Sequence, residues 1–134
     1  MSAESRIRAY YDALRDGDPL YHYFAPDDGI VKFGISDHLD GYEAVEAGLR
    51  EQSRTTADWT VESAALRVTE RDRHAWFADL VELGWTDLEC DTRREFDTRW
   101  SGTLERERRT PGERDADPGD WRFVGMHVST AGEL

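Results

Sequence analysis

The chain has 134 residues, 38% of them hydrophobic, and carries 29 acidic against 17 basic residues for a net charge of −12. That length suits one domain, 1–134, with a core that needs no disulfide or metal, and its single cysteine, Cys90, has no internal partner. No apolar run approaches ~18 residues and no basic stripe is visible, which argues against a membrane span and against nucleic acid as a partner.

The basic residues are unequal: Lys32 is the only lysine, and the other sixteen are arginine. An acidic surface with almost no lysine is the composition expected of a protein kept soluble in concentrated salt. Molar salt shortens the Debye length to ~3 Å and makes such self-repulsion tolerable. The N-terminus runs straight into a charged segment without the apolar core of a signal peptide, so a cytoplasmic location is expected.

Ala3 to Asp16 reads as an amphipathic helix, with Ile7, Tyr10, Tyr11 and Leu14 at helical spacing. Ser2 or Ser5 is its N-cap and Gly17 its stop. Asp18-Pro19 then predicts a second, short helix from Leu20 to Phe24, before a turn at Pro26-Asp27-Asp28-Gly29. Ile30 to Ile35 reads as a strand, 36–41 as a loop, and Tyr42 to Arg54 as a third helix. Trp59 to Thr69 and His74 to Leu83 read as strands around a hairpin turn, with an irregular acidic stretch from Gly84 to Arg93. Arg94 to Arg106 is a long strand expected to pair with Trp121 to Thr130. The segment between them, Glu107 to Asp120, reads as a solvated hairpin loop.

The last strand carries apolar groups on both parities: Trp121 and Phe123 on one, Val124, Met126 and Val128 on the other. Successive strand side chains point to opposite faces, so this predicts a mid-sheet strand covered on both sides, with His127 set in the pattern. The strand beginning at His74 gives the same reading, with Asp79 alone among apolar residues of its parity. Helices that precede a mainly antiparallel sheet predict an α+β fold, and a long sheet curling around them encloses a cavity.

Several segments resemble one family. Arg99-Trp100-Ser101-Gly102-Thr103-Leu104 is similar to its Arg-aromatic-Thr-Gly-Val-Leu strand. Trp121-Arg122-Phe123-Val124-Gly125-Met126-His127-Val128-Ser129 is similar to its closing strand, Gly41-Tyr42-Glu43-Ala44-Val45 to the start of its third helix, and Ala75-Trp76-Phe77 to a mid-sheet segment. By these marks the chain resembles a SnoaL-like member of the nuclear transport factor 2-like superfamily. The resemblance implies a cone-shaped α+β fold: N-terminal helices on a strongly curved sheet, with an internal pocket and a homodimer formed through the sheet. The superfamily holds isomerases, cyclases, dehydratases, ligand binders and non-catalytic dimerisation modules, so the fold does not name a reaction. Where its ketosteroid isomerases place a catalytic aspartate on the first strand, this chain has Lys32 or Phe33. Where many members have a second histidine, it has Gly125.

The residues expected at the site follow from both readings. Asp79, a carboxylate among apolar residues, is a candidate acid/base or ligand anchor, or the buried partner of Arg99. His127 is a candidate acid/base near neutral pH or a core histidine. Tyr11, His22, Trp76 and Arg99 are expected to line the pocket, with a tyrosine of the first helix placed to donate to a ligand oxyanion. No histidine spacing suggests a metal site, and no cofactor is expected. Three functions stay open: binding a small, largely apolar ligand, an isomerase, cyclase or dehydratase using Asp79 or His127, and a dimerisation module.

Overall fold

A computed structural model describes residues 2–106 and 120–132, so the segment expected as a loop at 107–120 lies outside the described residues except for Asp120. Helix α1 spans Ala3–Asp16 and starts where the Ser2 hydroxyl accepts the Ser5 amide at 3.0 Å. It ends at Gly17, whose φ of 73° is open to glycine at little cost, and the Asp18 amide returns to the Ala13 carbonyl at 2.9 Å. That closure takes up Asp18 in the exit from α1. The expected second helix from Leu20 to Phe24 is consequently a single 3-10 turn, Tyr21–Tyr23, with no side-chain cap.

β1 (Val31–Phe33) and β2 (His38–Asp40) form a short antiparallel hairpin where the sequence suggested a strand and a loop. The Asp37 carboxylate closes its turn by accepting the Gly34 amide at 2.7 Å. Three-residue strands are too short to show an alternation, which is why β2 was not legible. Helix α2 (Tyr42–Thr55) follows, burying Val45 and Leu49.

The expected strand from Trp59 to Thr69 is two strands, β3 (Thr56–Ser63) and β4 (Arg67–Glu70), laid end to end along one edge of β5 (His74–Asp87). β5 runs four residues past the expected end. The irregular stretch shrinks to a turn held by the Asp87 carboxylate, which accepts the Glu89 and Cys90 amides at 3.0 and 3.3 Å. β6 (Thr92–Arg106) and β7 (Trp121–Thr130) complete a seven-stranded sheet of order β2-β1-β7-β6-β5-β3, with β4 also on β5. β1 meets β7 in parallel, and the other pairings are antiparallel.

The helices cover one face of the sheet, and the core lies between them. Tyr10 is its centre: its ring meets Tyr23, Phe24, Trp100 and Phe123 edge-on, at centroid distances of 5.3–6.2 Å. Gly102 allows close packing there, because a Cβ would lie 2.5 Å from the Gly125 carbonyl oxygen and 2.7 Å from the Phe77 ring.

β7 is mid-sheet as expected, between β1 and β6, but not for the reason its pattern suggested. The ladder pairs Thr103 with Gly125 and Leu104 with Phe123, leaving Val124 as an extra residue. This bulge reverses the parity of the strand. Trp121 and Phe123 before it, and Met126 and Val128 after it, are therefore all buried on the helix side. The same reversal turns His127 outward, onto the exposed face beside Phe33 at 5.6 Å between rings. β5 likewise buries Ala75, Phe77, Asp79, Val81 and Leu83 on the helix side, while Trp76 and Leu80 on the outer face are 47% and 55% exposed. Among the described residues no helix covers the outer face of the sheet.

Candidate functional site

A cavity of about 280 Å³ opens between α2 and the helix-facing side of the sheet. α1 contributes Tyr10 and Leu14, α2 contributes Gly48, Glu51, Gln52 and Thr55, and Trp100, Met126 and Val128 form the floor. At one end Trp59 stacks on Trp85 at 4.9 Å, and Trp85 leans on Phe96 at 5.5 Å. A neighbouring hollow of about 270 Å³ shares Leu14, Gln52, Thr56 and Trp59 with it. The volume is at the small end for ligand cavities.

Beside Ser36, Asp37, Glu51, Gln52, Thr55 and Thr56, two further side chains with polar ends line the cavity. Lys32, the middle residue of β1, lies beside Met126 of β7 and shares its inward direction. It is 5% exposed, yet its nearest charged partner, Asp37 Oδ1, is 3.8 Å from Nζ, beyond hydrogen-bond distance. Asp37 is half-exposed, and that oxygen already accepts the Gly34 amide. Burial holds the Lys32 ammonium below the usual lysine range, and the Asp37 carboxylate only partly opposes this. The second group is the Tyr10 hydroxyl, which has no hydrogen-bond partner among the described residues. Burial first, and the Asp37 charge second, push its pKa above the ordinary tyrosine value.

None of the six residues expected to line the pocket does so. Asp79 is buried behind the cavity, where Oδ2 accepts the hydroxyls of Tyr11 at 2.9 Å and Ser63 at 2.6 Å, and Oδ1 accepts the Ala65 amide at 3.0 Å. The Ala65 amide sits at the break between β3 and β4, so this carboxylate replaces a strand partner that the ladder cannot supply. Tyr11 is spent on the same network. Arg99 cannot pair with Asp79. The ladder sets it opposite Leu80, on the outer face, where it reaches the Thr130 carbonyl at 3.4 Å. Trp76 is on that face under Arg71, and His127 joins it through the bulge. His22 is exposed on the 3-10 turn. Its ring packs against Tyr23 at 4.5 Å between centroids, and its backbone carbonyl accepts Arg122 at 2.7 Å. Slight burial and then Arg6 and Arg122 lower the pKa of that ring.

Sequence reasoning missed Lys32 as a cavity residue, whereas Tyr10 is one of the two first-helix tyrosines expected as a ligand donor. One signal pointed to Lys32: it is the lone lysine of a chain that uses arginine everywhere else. Among the described residues no cluster of His, Cys, Asp or Glu is arranged to hold a metal ion. No helix among them is long and apolar enough to cross a membrane.

Residues 3–133 match the family described as the SnoaL-like domain. The chain belongs to that family. Among solved structures it is similar to a dehydratase candidate of the NTF2-like family from Streptomyces avermitilis, with a TM-score of 0.78 and 15% identity over 98% of this chain and 95% of that one. It is also similar to an NTF2-like superfamily protein from Salmonella enterica serovar Typhimurium, with a TM-score of 0.76 and 16% identity over 96% and 88% of the two chains. A ketosteroid isomerase-like protein from Erwinia carotovora atroseptica gives a TM-score of 0.72 and 15% identity over 97% and 94%. At these identities the likeness establishes the fold of the SnoaL-like chain, two helices on a large open sheet, and not a shared reaction. A search of the curated proteins finds no match.

Proposed function

We propose that this SnoaL-like chain is a single domain, 1–134, that binds a small, largely apolar ligand in its cavity. The observation that supports this is a cavity whose aromatic and aliphatic side, Trp59, Trp85, Trp100, Met126 and Val128, is joined by two buried residues with polar ends, Lys32 and Tyr10. Acid/base catalysis by Asp79 or His127 is not part of this reading, because neither reaches the cavity. Trp59, Trp85 and Trp100 line it, so occupancy is expected to change tryptophan fluorescence and raise the melting temperature across a panel of aromatic and aliphatic compounds. A panel that moves neither signal would sink the proposal.

The second part of the reading is a homodimer through the outer sheet face. Trp76 and Leu80 lie four residues apart on the same side of β5, and both are open to solvent. A second copy presents the same strip about a two-fold axis, and the flanking Glu82 and Arg99 provide opposite charges for mutual contact. The −12 charge opposes association at low salt, so sedimentation is expected to show a dimer in molar potassium chloride and a weaker one at low salt. Trp76→Glu is expected to give a folded monomer. A monomer in the unmodified chain at both salt concentrations would overturn the assignment.

A further inference from the structure

We infer that Lys32 is a covalent attachment point: its ε-amine condenses with the aldehyde or ketone carbonyl of a neutral, apolar ligand to form an imine inside the cavity. This inference rests on the ligand-binding reading above and names the chemistry of that site.

The choice of residue is the first argument. Every other cationic side chain is arginine. A purely electrostatic task at position 32 is open to arginine too, whose guanidinium also binds oxygen acceptors better. Acting as an amine nucleophile is what lysine does and arginine cannot. Geometry is the second. Lys32 lines the cavity with Trp100, Met126 and Val128, and its one salt-bridge partner among the described residues, Asp37, stands 3.8 Å from Nζ, so only a long ion pair must loosen before attack. Burial favours the neutral amine, which is the reactive form. The third argument is charge. The other charged side chains lining the cavity, Asp37 from the β1–β2 turn and Glu51 from α2, are both acidic. An anionic ligand would meet them unfavourably, whereas a neutral carbonyl would not. From α1, the unpartnered Tyr10 hydroxyl lines the same cavity as a donor for the carbonyl oxygen.

The step balances without an oxidant or reductant. The ammonium first yields one proton to Asp37 or water. The free amine then attacks the carbonyl carbon, forming a C–N bond and a carbinolamine. Loss of the former carbonyl oxygen breaks the C–O bond and leaves the C=N bond. The two remaining amine protons depart with that oxygen as water.

The test uses the intact folded chain in high salt with 2-naphthaldehyde as the probe and cyanoborohydride to reduce any imine to a stable secondary amine. Because the chain has one lysine, its N-terminal α-amine is the internal reference. Intact mass and peptide mapping are expected to show Lys32 labelled at least about tenfold faster than the α-amine near neutral pH. The order reverses in concentrated urea, where an ordinary lysine is the more basic and slower amine. Lys32→Arg is expected to lose the adduct while keeping its circular dichroism spectrum. Labelling confined to the α-amine, or equally slow at Lys32 in the folded and unfolded chain, would overturn the inference. Tryptophan quenching by 2-naphthaldehyde separates the two readings. Quenching without an adduct leaves the cavity proposal standing and this inference refuted, and neither signal refutes both.

Discussion

Asp79→Ala is expected to lower the unfolding free energy by about 3–5 kcal/mol, the largest loss from a single substitution away from the aromatic core. The carboxylate serves three donors, from Tyr11, Ser63 and Ala65, and it is 3% exposed. Truncation leaves three part-buried or buried donors without an acceptor. An orphaned donor costs about 1–3 kcal/mol, several times what a satisfied hydrogen bond contributes. One of the three is the backbone amide at the β3–β4 break, which has no ladder partner to fall back on. Tyr11→Phe removes a single donor and leaves the carboxylate two others, so its cost is expected near 1 kcal/mol. Urea unfolding measures both. Equal losses for the two variants would show that the carboxylate does not organise the break.

Lys32→Met is expected to move stability the other way, raising it by about 1–3 kcal/mol near neutral pH while abolishing carbonyl capture. The ammonium is 5% exposed with its counter-charge 3.8 Å away, so its desolvation is poorly compensated, and methionine fills similar volume without that cost. Asp37 is left alone but half-exposed, so water solvates it. The pH dependence follows from the direction of the shift. The folded-state pKa of Lys32 lies below the ordinary 10.5. Between the folded value and 10.5 the unfolded chain holds a proton that the folded chain has released, so the native protein gains stability as pH rises there. The advantage of the methionine variant is therefore full below the folded pKa and closes as pH approaches 10.5. Tyr10 and Tyr11, both pushed upward by burial, act oppositely above their ordinary value, but they are present in both proteins and cancel in the difference. Denaturant melts across the alkaline range read this directly. A gap that does not change with pH would mean that Lys32 is not held below its ordinary pKa.

The two substitutions describe a division of labour in the cavity region. Asp79 is a buried charge that the fold satisfies completely, and its role is to hold the sheet edge. Lys32 is a buried charge whose nearest counter-charge, Asp37, is half-exposed and 3.8 Å away, and it lines the cavity. A buried charge that borders a cavity is a candidate for function, where one enclosed among its hydrogen-bond partners is not.

Much of the architecture was legible in the residues. Ile7, Tyr10, Tyr11 and Leu14 specify the buried stripe of α1, and Ser2 and Gly17 mark its ends as observed. The order of helices and long strands carries the α+β class, and the closing segments carry the family. These features were readable because they are local: helical spacing, caps and turn residues act over a few positions of the chain.

Which side of each strand faces the cavity was decided only by tertiary structure. The two apolar parities of β7 looked like two covered faces. A single extra residue, Val124, folds both onto one face and sends His127 to the other. Asp79 and Arg99 looked like partners, but the β5–β6 register places them on opposite sides. The cavity draws on α1, α2 and strands from Lys32 to Val128, and no local pattern encodes that meeting. Local spacing determined which elements form. Register, bulge and long-range packing determined which side chains meet, because those depend on hydrogen-bond ladders closed between residues far apart in the chain.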